Sequence, residues 1–133
     1  MSLHESGQMY LEAIYILSQT TPNVRAIDVG EHLGYSKPSV SRAMSILKRD
    51  GYVVTDETGC LHLTEDGRHV AETMYKRHTV LTKLLTGLGV DEETAAEDAC
   101  RIEHVISEQS FDAMLRHLER QGVFLNDSDK GGV

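Results

Sequence analysis

The stretch that decides the fold lies at residues 26–50, AIDVGEHLGYSKPSVSRAMSILKRD. Its first part is amphipathic and stops at Gly34, where a residue in the left-handed conformation can end a helix. Ser36 then suits the N-cap of a second helix, and Pro38 falls in the first turn, where its missing N–H costs nothing. The segment therefore predicts two helices joined by a short glycine turn, which is a helix-turn-helix.

A β-hairpin is predicted directly after this segment. Residues 52–55 and 60–63 are rich in β-branched and apolar side chains, and residues 56–59 have the sequence Asp-Glu-Thr-Gly. Strand-forming runs around a polar, glycine-containing turn are typical of a hairpin. With a helix over about 3–19 at the start of the chain, the order of elements is that of a winged helix-turn-helix with a two-stranded β wing.

The remainder of the chain predicts helices only, so the fold class is mainly α. Thr64 is placed to cap a long helix over about 65–86, Asp91 a helix over about 92–106, and Ser107 a third helix. One face of this last helix is apolar, and little of a chain of this length remains to cover it, which predicts dimerisation through that face. The face consists of Phe111, Met114, Leu115 and Leu118.

The net charge of −8 is unusual for a protein that binds nucleic acid, but the charge is unevenly distributed. Residues 21–55 carry five Lys and Arg against three Asp and Glu, whereas residues 91–133 carry four against eleven. Because local charge governs contact with phosphates, the first stretch is suited to DNA and the second to cations. We find neither an apolar run long enough to span a membrane nor a secretion signal, so we expect a cytoplasmic protein.

The second helix of the predicted helix-turn-helix mixes short hydroxyl side chains with cations, which suits a groove floor and its phosphate walls. Arg42 is the one long side chain that could make a bidentate contact to guanine from the middle of this helix. A solvated amphipathic helix would also carry charge on its outer face, but the hairpin that follows favours DNA reading. The exposed polar positions are Ser36, Lys37, Ser39, Ser41, Arg42, Ser45 and Lys48.

A second group of residues has the spacing of metal ligands. Cys100, Glu103 and His104 stand at i, i+3 and i+4, so on a helix they project a thiol, a carboxylate and an imidazole from one face. Met9 and Glu12 stand at i and i+3 on the first helix. These sulfur, oxygen and nitrogen donors suit a transition metal.

His78, in the apolar stripe of the long helix, adds an imidazole to these donors. Each donor has an ordinary alternative, since Met and Cys often fill cores and an apolar-face His is more often bonded to a carbonyl. The acids could equally be surface groups. Spacing alone leaves the two interpretations open.

The chain resembles the family of the diphtheria toxin repressor, the iron-dependent repressors and the manganese transport regulator over about residues 7–120. The last of the carrying segments is highly specific, whereas a helix-turn-helix alone is weak evidence. These segments are MYLEAIY at 9–15, SKPSVSR at 36–42, LTEDG at 63–67, RH at 77–78 and EDACRIEHVIS at 97–107.

The resemblance implies a winged-helix domain followed by a helical dimerisation domain, with Fe²⁺ or Mn²⁺ as corepressor. It implies a homodimer on a palindromic double-stranded DNA operator. Its metal-binding positions fall on Met9, Glu12, His78, Cys100, Glu103 and His104. Its DNA-contacting positions fall on Ser36, Pro38, Ser39 and Arg42, with Lys37 beside them.

This sequence combines features of both branches of that family. It resembles the shorter manganese-type members, without the SH3-like domain of the iron type, and Glu12 is a manganese-type residue. Met9 and Cys100 are the residues that iron-type members have at these positions. Two positions that help to bind a second, ancillary metal in iron-type members are occupied here by Thr82 and Ala96, which are poor ligands. We expect Fe²⁺ as corepressor, then Mn²⁺, with Co²⁺, Ni²⁺ or Zn²⁺ as substitutes in vitro.

The sequence thus predicts a metal-activated repressor of metal-homeostasis genes, not an enzyme. We expect residues 1–70 to bind DNA, residues 71–122 to bind metal and dimerise, and the polar tail 123–133 to be disordered. One alternative is a metal-independent winged-helix regulator that senses an organic ligand. Another is a small metalloenzyme. Against this alternative, the sequence has no separate nucleophile or base motif once the ligands are assigned.

Overall fold

The computed structural model describes residues 3–122, so the predicted tail lies outside the described residues. The chain divides into two compact units, the first ending at Thr73 and the second beginning at Met74. The described residues form six helices and one antiparallel pair of strands. None of these helices is both long enough and apolar enough to cross a membrane. The elements are α1 (Glu5–Ser18), α2 (Ala26–Leu33), α3 (Lys37–Arg49), β1 (Val53–Thr55), β2 (Leu61–Leu63), α4 (Glu65–Gly87), α5 (Glu92–Ile102) and α6 (Glu108–Arg120).

The helix-turn-helix forms where the sequence predicts it. Gly34 has a φ of 75° and closes α2 by donating its N–H to the carbonyl of Gly30. A residue with a Cβ would be strained in this conformation, so glycine is the natural choice. The hydroxyl of Ser36 caps α3 by accepting the N–H of Ser39 at 3.3 Å.

The core of the first unit lies where α1, α2, α3 and the hairpin meet. Leu11 of α1 and Val29 of α2 have no exposed surface, and Val53 starts β1 inside the same core. The strands pair with Val53 opposite Leu63 and Thr55 opposite Leu61. The buried members of this core are Tyr10, Leu11, Ala13, Ile14, Val24, Val29, Val40, Met44, Leu47, Val53, Leu61 and Ala71.

The start of α4 is fixed against the hairpin. Thr64 caps α4 by accepting the N–H of Gly67 at 3.1 Å, and its hydroxyl donates to the carbonyl of Gly51 at 2.7 Å. A Cβ on Gly67 would lie 2.1 Å from the carbonyl oxygen of Tyr52. Only glycine therefore lets the helix pass this close to the chain entering β1.

In the second unit, two sequence predictions are wrong in part. The helix predicted over about 92–106 ends at Ile102, and Glu103 is its C-cap. The apolar face of α6 is also less open than expected, because Phe111 and Leu118 are buried in a small core with Val80 of α4. The caps of these helices are as predicted, with Asp91 accepting the N–H of Thr94 and Ser107 accepting that of Ser110, both at 3.1 Å.

Candidate metal centre and nucleic-acid interface

The strongest candidate site in the second unit is the carboxylate of Glu103. This side chain is completely buried and lies at the C-cap of α5. Its Oε1 lies 3.0 Å from Nδ1 of His78, and its Oε2 lies 3.4 Å from Nε2 of His104. One carboxylate thus stands between two imidazoles from different parts of the unit.

The two histidines differ in exposure. The side chain of His104 is 2% exposed, whereas that of His78, on α4, is 30% exposed. The ordinary alternative for an apolar-face histidine was a hydrogen bond to a backbone carbonyl. The Nδ1 atom of His78 instead pairs with the carboxylate of Glu103. We predicted Glu103 and His104 on a helix, but α5 ends at Ile102 and both residues lie in the turn that follows it.

Cys100 differs from Glu103 in its exposure. It lies in the last turn of α5, and the residue is exposed. Its neighbour Ala99, by contrast, has no exposed surface. Ala99 therefore belongs to the buried face of α5, and Cys100 belongs to its exposed face.

The two candidates on α1 belong to the first unit. Glu12 is only 8% exposed, although the residue is acidic. The thioether of Met9 accepts a hydrogen bond from the hydroxyl of Tyr35, which lies in the turn between α2 and α3, at an O–S distance of 4.0 Å. Met9 is therefore in contact with the helix-turn-helix and is not part of the buried core of its unit.

The two positions that the iron type uses for an ancillary metal offer no good ligand in this chain. The hydroxyl of Thr82 donates to the carbonyl of His78 one turn earlier on α4, at 2.7 Å. Ala96 ends in a methyl group and is partly buried on α5. The local hydrogen bond of Thr82 competes with any use of its oxygen as a ligand.

The donors of the second unit fit a divalent metal ion. A buried carboxylate is costly unless it is paired, and Glu103 is placed next to two imidazoles whose nitrogens are common ligands. One carboxylate with two imidazoles is a donor set that Mn²⁺, Fe²⁺ and Zn²⁺ all accept. The chemistry of these residues therefore fits a metal centre.

The helix predicted to read DNA presents its polar residues to solvent. A groove of about 670 Å³ lies between α2, α3 and the hairpin, and Lys37 and Lys48 line it together with Ser41 and Ser45. The remaining candidates of α3 do not line this groove and form a second exposed stripe. All six predicted contact residues are exposed, namely Ser36, Lys37, Pro38, Ser39, Arg42 and Lys48.

The turn of the hairpin is organised by Asp56, a residue that the sequence interpretation did not single out. Its Oδ1 accepts the backbone N–H groups of Thr58 at 2.9 Å and Cys60 at 3.0 Å, and its Oδ2 lies 2.8 Å from Nε2 of His62. These hydrogen bonds hold the pKa of Asp56 well below its ordinary value, and the bond to His62 contributes most. The guanidinium of Arg25 donates to the carbonyl of Thr58 and so connects the start of α2 to the same turn.

Fold and site together define the class of a metal-responsive winged-helix DNA-binding regulator, and comparison with known proteins identifies the family. Residues 2–61 match the family described as iron dependent repressor, N-terminal DNA binding domain. Residues 64–122 match the family described as iron dependent repressor, metal binding and dimerisation domain. The chain belongs to this family of transcriptional repressors, which are not enzymes.

Three similar proteins represent the range of the family. The chain is 33% identical over 128 residues to the HTH-type transcriptional regulator MntR of Bacillus pumilus, covering 96% of this chain and 86% of the relative. It is 33% identical over 108 residues to the diphtheria toxin repressor of Corynebacterium diphtheriae, covering 80% of this chain and 48% of the relative. A solved structure of a manganese-dependent transcriptional repressor in complex with manganese has a TM-score of 0.78 and 26% identity, with 85% of this chain and 52% of that chain covered. The chain thus spans about half the length of the diphtheria toxin repressor that it matches.

Proposed function

We propose that this protein is a cytoplasmic homodimeric repressor that binds a palindromic operator of metal-homeostasis genes when a divalent transition-metal ion is bound. The observation that carries the proposal is the fully buried carboxylate of Glu103 between the imidazoles of His78 and His104. Residues 1–70 bind DNA in this proposal, and residues 71–122 bind the metal and dimerise. The match of each half of the chain to a family domain with the corresponding role supports this division.

The proposed ligand set has two sources of support. Distances and burial support Glu103, His78 and His104. Met9, Glu12 and Cys100 are included because their spacing and their match to the family's metal-binding positions predict them. When bound, a divalent ion supplies positive charge to an acidic part of the chain, in which residues 91–133 carry eleven acids. Neutralising these acids reduces the repulsion of DNA phosphates.

The proposed DNA contacts divide between the two stripes of α3. Lys37 and Lys48 line the groove beside the hairpin, where two cations would follow the phosphate backbone. Arg42, on the other stripe, is exposed and is long enough for a bidentate contact to the O6 and N7 atoms of guanine. In a two-fold dimer, the two copies of α3 would read half-sites about 34 Å apart or a multiple of this distance.

Dimerisation is proposed to use the exposed part of α6. Since Phe111 and Leu118 are buried within the second unit, Met114 and Leu115, both partly exposed, remain as the apolar residues of the predicted face that a partner could cover. Sedimentation at micromolar concentration, with and without Mn²⁺, measures the state directly. A monomer under both conditions would contradict this part of the proposal.

We expect Fe²⁺ to activate DNA binding at a lower free concentration than Mn²⁺. Thioether and thiolate ligands favour softer ions, and Met9 and Cys100 place sulfur where manganese-type members have oxygen. Glu103 and the two imidazoles accept either metal, so the sulfur residues decide the preference.

The test of the function is an anaerobic titration of the full chain with Fe²⁺, Mn²⁺ and Zn²⁺, read by fluorescence anisotropy of a labelled duplex. The duplex is selected from a random pool by the Fe²⁺-loaded protein, and a scrambled duplex is the control. We expect tight binding of the selected duplex only with metal, and its loss on adding a chelator. Equal binding with and without chelator would contradict metal activation and would favour the regulator that senses an organic ligand.

The metal preference has its own test. In the variant carrying Met9→Asp and Cys100→Glu, oxygen replaces both sulfur ligands, so activation should shift towards Mn²⁺. The matched control adds the same two carboxylates as Leu88→Asp and Gln109→Glu, at two exposed residues outside the proposed ligand set and the proposed dimer face. A wild-type protein that already responds better to Mn²⁺ than to Fe²⁺ without oxygen would overturn the sulfur argument.

A further inference from the structure

Arg77 of α4 holds the turn that contains two of the proposed ligands. Its Nη1 donates to the backbone carbonyl of Glu103 at 3.0 Å and to that of Ile106 at 2.9 Å. These carbonyls belong to the turn 103–106, which follows the end of α5 and contains His104. The last carbonyls of a helix have no partner within the helix, so the guanidinium satisfies groups that would otherwise be left without a hydrogen bond.

Glu103 is consequently held at both of its ends by neighbouring residues of α4. Arg77 binds its backbone carbonyl, and His78 binds its side-chain Oε1 at 3.0 Å. Fixing the backbone and the carboxylate together leaves Glu103 little freedom to rotate. A ligand that is oriented before the ion arrives binds it more tightly than one that must be ordered on binding.

The surroundings of Arg77 require a guanidinium. The group lies over the ring of Phe111, with 5.6 Å between Cζ and the ring centroid. Its Nε is buried and has no hydrogen-bond partner among the described residues. A lysine could donate to both carbonyls, but it has no planar group to place over the ring, because its ammonium is a point charge on a flexible stem.

A cation beside a cation site is unfavourable unless its charge is directed elsewhere. The guanidinium directs its charge at the carbonyl of Glu103, the C-cap at the negative end of the α5 dipole, and at the carbonyl of Ile106 in the following turn. In this arrangement Arg77 contributes geometry to the site and competes little with a bound ion. It acts on the turn and contacts no ion itself.

We propose that Arg77 is a positioning residue for the metal centre, which sets the conformation of the turn 103–106 and thereby the placement of Glu103 and His104. The inference rests on the proposed function, because it assumes that these two residues bind metal.

The experiment compares Arg77→Lys with wild type and with Arg101→Lys in the full chain. Arg101 is the matched control because it lies in the last turn of α5 but is exposed and pairs with Asp98, at 2.6 Å. Mn²⁺ affinity is measured by calorimetry, and Co²⁺ is bound separately so that its d–d absorption reports the ligand geometry. Urea unfolding of the metal-free proteins gives their stability.

We expect Arg77→Lys to weaken Mn²⁺ binding about 10- to 100-fold and to alter the Co²⁺ spectrum of the folded protein, whereas Arg101→Lys matches wild type. A merely structural residue would lower stability and leave the Co²⁺ spectrum unchanged, and that result would overturn the proposal. Phe111→Leu removes the ring under the guanidinium and should change the spectrum in the same direction, so the question stays decidable if Arg77→Lys does not fold. A wild-type protein that binds neither ion would overturn the proposed function itself, which is a distinct outcome.

Discussion

The Nδ1 atom of His78 lies 3.0 Å from Oε1 of Glu103, a carboxylate with no exposed surface. An ionised carboxylate can accept hydrogen bonds but cannot donate them, so a neutral imidazole that bonds to it through Nδ1 carries its proton on that atom. Nε2 is then the nitrogen with the lone pair, which is the form in which histidine binds metals. In the proposed metal centre, this pair therefore prepares the imidazole of His78 as a ligand and orients the carboxylate of Glu103.

Two substitutions of His78 separate these two roles. In His78→Asn, the side-chain amide nitrogen can replace Nδ1 as the donor to Glu103. In His78→Gln, the side-chain amide nitrogen takes the place of Nε2 instead. We expect both variants to lose about 10-fold or more in Mn²⁺ affinity, because neither retains the imidazole lone pair. Calorimetric titration measures the loss, and wild-type affinity in His78→Asn would mean that His78 only orients Glu103.

Arg42→Ala and Lys48→Ala should weaken DNA binding in different ways. Loss of the bidentate contact from Arg42 should cost about 1–3 kcal/mol and relax the base preference at one position. Lys48 lines the groove, so its loss should weaken all sequences about equally and reduce the slope of log K against log salt by about 1. Anisotropy with selected and scrambled duplexes at several salt concentrations measures both. An equal factor on both duplexes for Arg42→Ala would show that Arg42 does not read a base.

The two serine caps offer a matched pair. Ser36 caps α3 and Ser107 caps α6, each by accepting the N–H three residues later. Either change to Ala should lower the free energy of unfolding by about 0.5–2 kcal/mol. Only Ser36→Ala should also weaken DNA binding, since Ser36 is exposed on the proposed interface. Equal DNA affinity for the two variants would argue against a contact from Ser36.

Gly67→Ala should destabilise the protein, because the new methyl group would lie 2.1 Å from the carbonyl oxygen of Tyr52. Both groups are backbone or attached directly to it, so relief requires a shift of α4 against the hairpin, at about 1–3 kcal/mol or more. Gly87→Ala is the control, since nothing lies within 4 Å of its added Cβ. That change should be neutral or stabilise by up to about 1 kcal/mol through the higher helix propensity of Ala. Urea unfolding measures the free energy of unfolding of both variants. Equal values for Gly67→Ala and Gly87→Ala would contradict the predicted clash.

The hairpin should lose stability in acid because of Asp56. Its pKa is lowered in the folded state from an ordinary 3.8, mainly by His62, so the ionised form is favoured by folding. The contribution is fully present above the unfolded pKa and is lost as the pH falls through the folded pKa. The stability difference between wild type and Asp56→Asn should be constant between about pH 5 and 7 and should shrink below about pH 4. Thermal unfolding across this range measures it, and a difference that grows in acid would reverse the assigned sign.

Most of the fold could be predicted because its signals are local. Gly34 and Ser36 each act within a few residues of themselves, through a left-handed backbone and a side-chain cap. The end of α2 and the start of α3 follow from these two positions. The candidate ligands could be named from their spacing and resemblance, but their burial and their contacts could not.

The end of α5 shows where local signals stop being sufficient. Periodicity continues through Ile106, yet the helix ends at Ile102, where Arg77 binds the carbonyls of the following turn. Arg77 is about 25 residues away in the sequence, so no window along α5 contains it. The same distant helix supplies Val80, which covers the face of α6 that we expected to be open.

The sequence by itself determined the order of the elements, the N-caps of α3 to α6 and the residue types available for metal and DNA. These follow from backbone conformation and from hydrogen bonds between near neighbours. Only the tertiary structure decided that Glu103 is completely buried while Cys100, less than one helical turn earlier, is exposed. Burial depends on which segments pack across the chain, and here α4 packs with α6 and provides the two side chains that hold Glu103.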